Sequence, residues 1–432
     1  MLRLTIEKLV YGGEGLARLP ANDRGPGKAV FVPLVLPGES VEASLSEEKP
    51  GFTRARLDEV CSPSSRRIEP RCPYFERCGG CHYQHTDYEH QLEIKAAILK
   101  ENLRRIAKLE LSTELEIHSS PPWNYRNRSR FKVQTAPEFA VGYYKFNSHE
   151  LLEVQECPIS SPLINRALAA LWQVGGAGKV PNGIQEVEFF ANGNDTQLLA
   201  EVYCLPETAI ENFGLELKPA LAEMSSVVFF AARPARAEAQ GDARQLGSGG
   251  HLVYATKLAP YRVSAGAFFQ TNRHLTDELV KIVVNRRGGA AAGTALDLYA
   301  GVGLFSSVLN REFERVIAVE SSPTSHADLR YNSPANVKAV RTTTEQYLEN
   351  AAGKLRPELV VVDPPRSGLG ERVIKGLVRL GAPRITYVSC DPATLSRDLA
   401  RLLQSGYRVE EAHLVDLFPQ TYHLESVFHL AR

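Results

Sequence analysis

Neither sign of charge prevails in this sequence: 50 lysines and arginines face 50 aspartates and glutamates, a formal net charge of zero. A nucleic-acid-binding protein usually carries a basic domain, so the overall balance lends that class no support. Long hydrophobic runs are lacking too, none approaching the ~18–20 residues of a membrane span. The opening Met-Leu-Arg-Leu-Thr-Ile-Glu-Lys has no basic segment leading into an apolar core, so no secretory leader is expected. Cysteine is sparse and odd in number, seven in 432 residues, which argues against a disulfide framework. With 44% hydrophobic and 23% charged residues, collagen-like, coiled-coil and largely disordered architectures are excluded. The expectation is a soluble, cytoplasmic, monomeric protein without membrane contact, of about three domains.

The few cysteines are not scattered. Cys72, Cys78 and Cys81 fall within Arg-Cys-Pro-Tyr-Phe-Glu-Arg-Cys-Gly-Gly-Cys, where Pro73, Gly79 and Gly80 let a short loop turn three thiolates to one centre. Cys157, in Glu-Cys-Pro-Ile, repeats the Cys-Pro pairing and is the candidate fourth ligand. Four thiolates suit an iron–sulfur cluster or structural zinc. One tight triplet with a remote partner favours the cluster over zinc's two paired knuckles, though spacing alone leaves both open. Cys61 and Cys204 lack such company and read as packing residues.

Residues 1–60 read as short strands broken by glycine turns (2–9, 29–33, 40–45 and 53–60, with a turn at 12–15), the pattern of a small OB-type barrel. Apolar residues at helical spacing predict one amphipathic helix over 87–109. Residues 61–260 form a central α+β domain, with strands at 131–135, 187–191, 197–203 and 227–231, a helix near 163–173, and an exposed loop over 233–250. Within it Arg126, Arg128, Arg130 and Lys132 stand free of acids, interleaved with Trp123, Tyr125 and Phe131. That alternation suits a strand offering phosphate contacts and stacking surfaces to a nucleic acid. The bland alternative is a solvated charged face beside core aromatics.

From residue 261 to 432 short apolar strands (295–299, 315–319, 359–362, 385–389) alternate with helices, predicting a parallel, doubly wound Rossmann-like sheet. The first strand enters Tyr299-Ala-Gly301-Val-Gly303, a turn that brings backbone close to a ligand. Ser306 stands where a dinucleotide fingerprint has its third glycine, and Glu320 ends the next strand, suited to a pair of ribose hydroxyls. Two glycines without a pyrophosphate-binding helix start fit S-adenosylmethionine better than NAD. The third strand ends in Asp363-Pro-Pro-Arg366, a stiff turn that holds an acid and a base beside the same cleft. The fourth ends at Ser389-Cys390-Asp391-Pro392, so Cys390 precedes a helix that Pro392 starts, a place where a thiol tends to have a lowered pKa and be nucleophilic. Each motif has a plainer reading: a structural turn, a strand terminator, an inert strand thiol.

Together these residues resemble the RNA uracil-5-methyltransferases, which make 5-methyluridine in tRNA or 23S rRNA. The matches span nearly the whole chain: Leu36-Pro-Gly-Glu39 in a TRAM-type barrel, the cysteine set, and Phe268-Phe-Gln270-Thr-Asn272. They continue through 297–305, 363–366 and 389–392 to Phe418-Pro-Gln-Thr-Tyr-His423-Leu-Glu425-Ser. The resemblance implies a [4Fe–4S] cluster on Cys72, Cys78, Cys81 and Cys157, and S-adenosylmethionine held by Gln270, Tyr299, Gly301, Glu320 and Asp363. It makes Cys390 the nucleophile and Glu425 the base. It also implies thiolate addition at uracil C6, methyl transfer to C5 and removal of the C5 proton. Tyr125, Arg126, Arg128, Phe268, Asn272 and Arg366 are the candidate RNA contacts, Phe268 as a stacking surface for a splayed-out base. Barrel and cluster together imply 23S rRNA rather than the tRNA T-loop. Cytosine-5 enzymes typically carry a cysteine in the Asp-Pro-Pro turn, where this chain has Arg366. The alternative of another class is a non-catalytic RNA-binding protein, for which the intact set of Cys390, Glu425 and strand-end acids has no use.

Overall fold

The structure is a computed structural model that describes residues 2–19, 27–210, 212–232, 245–247, 249–285 and 293–432. Six N-terminal strands, Leu2–Thr5, Lys8–Leu9, Glu14–Arg18, Ala29–Pro33, Ser40–Glu48 and Phe52–Ser62, form one sheet in the order first, fifth, sixth, fourth, third, second. Glu14–Arg18, expected only as part of a turn, is a strand paired on both sides. Glu39, fully buried, accepts the amides of Leu36 and Ser64 and the guanidinium of Arg67, which fastens this sheet to the cysteine-bearing segment that follows.

Asp87 caps the helix Tyr88–Asn102 by accepting the His90 amide at 2.9 Å. Its apolar face buries Ile94, Ile98 and Leu99 in a cluster shared with Val30 and Val41 of the N-terminal sheet and Leu296 and Val360 of the C-terminal one. The same helix buries Lys95 completely, with Nζ 2.6 Å from Asp416 Oδ1 and 2.9 Å from the Phe418 carbonyl. That pair ties the helix to the loop preceding Glu425. Removing one partner strands the other charge in the interior, so Lys95→Ala is expected to cost about 3–5 kcal/mol in urea unfolding; a loss below about 1 kcal/mol would contradict this role.

Among the described residues the central sheet has seven strands, and its fully buried core packs on the helix Pro162–Gly176, which Ser161 caps. The expected loop over 233–250 lies largely outside the described residues, and Gln245–Leu246 within it is a strand paired with Met224–Ala231. The C-terminal sheet has eight strands. Val337–Arg341, Arg315–Glu320, Thr294–Leu298, Leu359–Val362 and Arg384–Ser389 run parallel in that order. Glu425–Ala431 then lies antiparallel between Arg384–Ser389 and Arg408–Val415. The last place goes to Leu115–His118, parallel to Arg408–Val415. A strand from the middle of the chain thus completes this sheet, so the expected boundary at 260/261 does not separate the two units cleanly. Among the described residues no helix is long and apolar enough to cross a membrane.

Chain order along the parallel strands reverses between Thr294–Leu298 and Leu359–Val362. A doubly wound sheet opens a crevice at such a switch point, beyond the carboxyl ends of its strands. Tyr299 and Asp363 are the residues that leave those two ends.

Candidate active site and cysteine cavity

At the crevice Tyr299 takes φ 63°, Gly301 56° and Gly303 94°. A left-handed tyrosine is strained, a condition that clusters at functional sites. A Cβ on Gly303 would come within 2.9 Å of Leu329 Cδ1, whereas one on Gly301 would meet nothing within 4 Å. Gly303 therefore serves packing, and Gly301 faces open space. Glu320 braces the turn, accepting the Gly301 amide on Oε2 at 2.8 Å and the Ser322 amide on Oε1 at 2.7 Å. Ser306 is buried and its hydroxyl donates to Asp297, so the absent third glycine is replaced by a side-chain bond. Gln270 is buried, and Asn127 Nδ2 donates to its carbonyl at 3.2 Å.

Asp297 was legible as a charge inside an apolar strand, yet it was not anticipated as a site residue. It is fully buried, and its Oδ1 has no hydrogen-bond partner among the described residues. Burial pushes its carboxyl up to about 7, and burial with the neighbouring Asp297 does the same to Asp363. Carboxyls raised from 3.8 to about 7 stabilise the fold most below the lower value, and that contribution is lost as the pH rises through the upper one. Asp297→Asn is therefore expected to flatten the decline and melt above the wild type at about pH 8; melting curves that run parallel across that range would contradict it.

Cys390 leaves the carboxyl end of Arg384–Ser389, and the antiparallel register pairing Ser389 with Ser426 sets it opposite Glu425. The helix Pro392–Gln404 follows, but its N-terminal amides at Ala393 and Thr394 are taken by the Asp391 side chain at 3.1 and 2.8 Å. The expected lowering of the thiol pKa is therefore corrected: burial, with Glu425, Asp363 and Asp391 nearby, pushes it up to about 12, opposed by Arg366. Glu425 is buried, and desolvation and Asp363 hold its carboxyl well above the usual range. The exposed Arg366 lies 3.3 Å from His423 Nδ1, whose ring burial and Arg366 keep neutral. One neighbour carries no local sequence signal: Tyr11, from the N-terminal sheet, donates to the Cys390 carbonyl at 3.0 Å and packs edge-on against Tyr422.

The candidate RNA contacts divide. Phe268 is 63% exposed while its neighbour Phe269 is core, so the pair is an anchored, projecting ring. Arg366 is open to solvent, and Arg126 is half-buried with Nε on the Arg128 carbonyl. Three others are corrected. Tyr125 is fully buried and donates to the Pro419 carbonyl at 3.0 Å. Asn272 is fully buried on Ser120 and the Leu417 carbonyl. Arg128 is locked onto Glu188, Glu201 and the Ala267 carbonyl. From Arg128 onward the basic stretch is neutralised: Lys132 stands opposite Glu186 and Arg130 opposite Glu188 across adjacent strands. These acids come from later strands, so the run looked unpaired in sequence.

Cys72, Cys78, Cys81 and Cys157 line one cavity of about 470 Å³, all as free thiols. Gln84 and Asn165 hold the amides of Cys72 and Cys157 at 3.0 and 2.9 Å. Burial pushes up the thiols of Cys72, of Cys78 (to about 11) and of Cys81, so they need a bound cation to ionise. An all-sulfur donor set in a roomy cavity fits a thiophilic centre. His423 lines this cavity and also touches Arg366, so one side chain joins it to the catalytic turn. Of the other cysteines, Cys204 is core, but Cys61 is exposed and packs against nothing of that kind.

Comparison with known proteins accords with this arrangement. Residues 87–432 match the family described as tRNA (Uracil-5-)-methyltransferase, and residues 1–57 match the TRAM domain. The chain is 35% identical to an uncharacterized RNA methyltransferase of Aquifex aeolicus, covering 99% of this chain and 97% of the relative. It is 30% identical to the 23S rRNA (uracil(1939)-C(5))-methyltransferase RlmD of Pseudomonas putida, covering 98% and 92%. The crystal structure of Pyrococcus abyssi tRNA (uracil-54, C5)-methyltransferase, in complex with S-adenosyl-L-homocysteine, shares the fold over 100% of both chains, with a TM-score of 0.76 at 23% identity. On the strength of a family match over most of its length, the chain belongs to the tRNA (uracil-5-)-methyltransferase family and is an RNA (uracil-5-)-methyltransferase with an N-terminal TRAM domain.

Proposed function

We propose that the chain methylates C5 of a uridine in 23S rRNA, in the cytoplasm, using Cys390 as nucleophile and Glu425 as base. The observation that carries this is the convergence of Glu425, Asp363 and Arg366 on the Cys390 thiol, which lies one residue beyond the Ser389–Ser426 pair. Uracil C5 is too weak a nucleophile to take a methyl group unaided. Cys390 gives up its thiol proton to solvent, and attack of the thiolate Sγ on C6 generates an enolate with electron density at C5, which can then accept the methyl. Arg366, the cation beside the thiol, stabilises both the thiolate and the enolate. Burial and the neighbouring Asp363 hold the Glu425 carboxyl well above the usual range, which makes its carboxylate a stronger base, and it takes the C5 proton. Loss of that proton expels the thiolate and restores the ring.

S-adenosylmethionine supplies an electrophilic sulfonium methyl when bound. Gln270, Tyr299, Gly301, Glu320 and Asp363 are the residues proposed to hold it: the open face of Gly301 leaves room, and Glu320 and Asp363 flank the crevice. Cys72, Cys78, Cys81 and Cys157 are proposed to hold a [4Fe–4S] cluster. Four thiolates on one zinc would sit about 3.8 Å apart, and the ligand triads within 4.8 Å of one another among the described residues do not include these cysteines. Such a centre staples the 72–81 loop to residue 157 and shapes the surface that RNA meets. Cluster-free protein with full RNA affinity and activity would contradict that role.

The similarity to the Pseudomonas putida enzyme supports 23S rRNA as the substrate. Incubation with methyl-labelled donor and either 23S rRNA fragments or tRNA transcripts tests it. Label at uridine C5 in the rRNA alone is expected; label in tRNA alone would overturn the substrate.

A further inference from the structure

Away from Cys390, one face of the C-terminal sheet gathers histidines and carboxylates from three strands. Register aligns Thr386 with His429 and His429 with Glu411, while His413, two residues beyond Glu411, pairs with Glu116. One ligand atom each from Glu411, His413 and His429 lie within 4.8 Å of one another. We propose that Glu411, His413 and His429 form a binding site for a divalent transition-metal ion, with zinc the best match.

The histidines are arranged as ligands rather than as a closed hydrogen-bond chain. Each has its Nδ1 engaged: His413 with His118 Nε2 at 3.1 Å, His429 with Thr386 Oγ1 at 3.1 Å. Each leaves Nε2 buried with no well-formed hydrogen bond among the described residues, the Ile282 carbonyl facing the His429 ring and Glu411 facing the His413 ring. His413 is only 4% exposed, so its bare nitrogen has no access to bulk water. A metal-bound imidazole shows this division, one nitrogen oriented by an outer partner and the other presenting its lone pair. A carboxylate oxygen of Glu411 stands 3.5 Å from His413 Nε2, spaced as two ligands of one ion are. Two imidazoles and a carboxylate are borderline donors that suit zinc over calcium or magnesium. A fourth ligand, water, has space in the adjoining cavity of about 310 Å³, lined by Thr386, Glu410, Glu411 and His429. The ion would clamp Arg408–Val415 to the strand that carries Glu425, roughly 13 Å along from that residue.

The test compares full-length protein with His429→Gln and Glu411→Gln after chelator treatment, by Zn²⁺ and Co²⁺ titration. The four cysteines are untouched in all three, so whatever they hold cancels. The wild type is expected to bind one more equivalent of Zn²⁺ than either variant, and its extra Co²⁺ to lack thiolate charge-transfer absorption. Thr386→Val, which removes only the outer partner of His429, is expected to weaken that equivalent by about 10- to 100-fold. Equal stoichiometry in wild type and both glutamine variants overturns the site, as does an extra equivalent with a sulfur charge-transfer spectrum. Should His429→Gln fail to fold, the Glu411→Gln and Thr386→Val titrations decide by the same criteria.

Discussion

Methyl incorporation into RNA is expected to fall at least ~10⁴-fold in Cys390→Ala, because without addition at C6 no other group can make C5 nucleophilic. Binding should survive, since Cys390 is half-buried at a strand end and the residues around the glycine turn and the TRAM sheet do not depend on its sulfur. Cys390→Ser is the sharper control, as the hydroxyl keeps the shape and its oxygen is a far poorer nucleophile. The cost to folding should stay within about 1 kcal/mol for either variant, because a single partly exposed atom is lost or exchanged. Single-turnover assays with labelled donor and rRNA fragments read both quantities. Residual turnover above a few per cent of wild type would mean that the thiol is not the nucleophile.

Glu425→Gln is expected to part the reaction in the middle. Attack and methyl transfer remain possible, but the C5 proton has no acceptor, so a methylated protein–RNA adduct accumulates while turnover drops about 10²- to 10⁴-fold. The adduct should survive denaturing electrophoresis and carry label from both RNA and donor. The same change carries a stability signature of opposite sign. Burial and Asp363 raise the Glu425 carboxyl, so its favourable contribution is full below its ordinary value of 4.5 and is lost as the pH rises through the folded one. The neutral amide escapes that loss, and Glu425→Gln should melt above wild type in mildly alkaline buffer. Loss of turnover with no adduct would place the defect before methyl transfer and remove Glu425 from the role of C5 base.

Much of the catalytic half was legible because its strands are continuous apolar runs that end in chemistry-bearing turns. Tyr299–Gly303, Asp363–Arg366 and Cys390–Pro392 all leave parallel strands at one edge, which the order of the runs already implied. The helix beginning at Tyr88 was legible from its period, though it ends at Asn102, short of the expected 109. The errors share one cause, partners distant along the chain. Arg128, Arg130 and Lys132 looked like an RNA-facing stripe because Glu186, Glu188 and Glu201, which neutralise them, belong to neighbouring strands. Tyr125 and Asn272 looked available because the Pro419 and Leu417 carbonyls that occupy them lie in the loop before Glu425. Nor does a local pattern reveal that Leu115–His118 closes the catalytic sheet, or that Tyr11 reaches Cys390. The misjudged acidity of Cys390 was different in kind: Asp391 was in plain view, and its side chain, rather than the thiol, answers the helix N-terminus.

The most direct test of the account uses rRNA fragments in which the target uridine carries fluorine at C5. Addition of Cys390 and methyl transfer can proceed on that base, but fluorine cannot be removed as a proton is, so the complex stays covalent. Intact mass should give one adduct per protein that includes the transferred methyl, with peptide mapping on the segment containing Cys390. Attachment at another residue, or methylated product released with no adduct at all, would contradict the account.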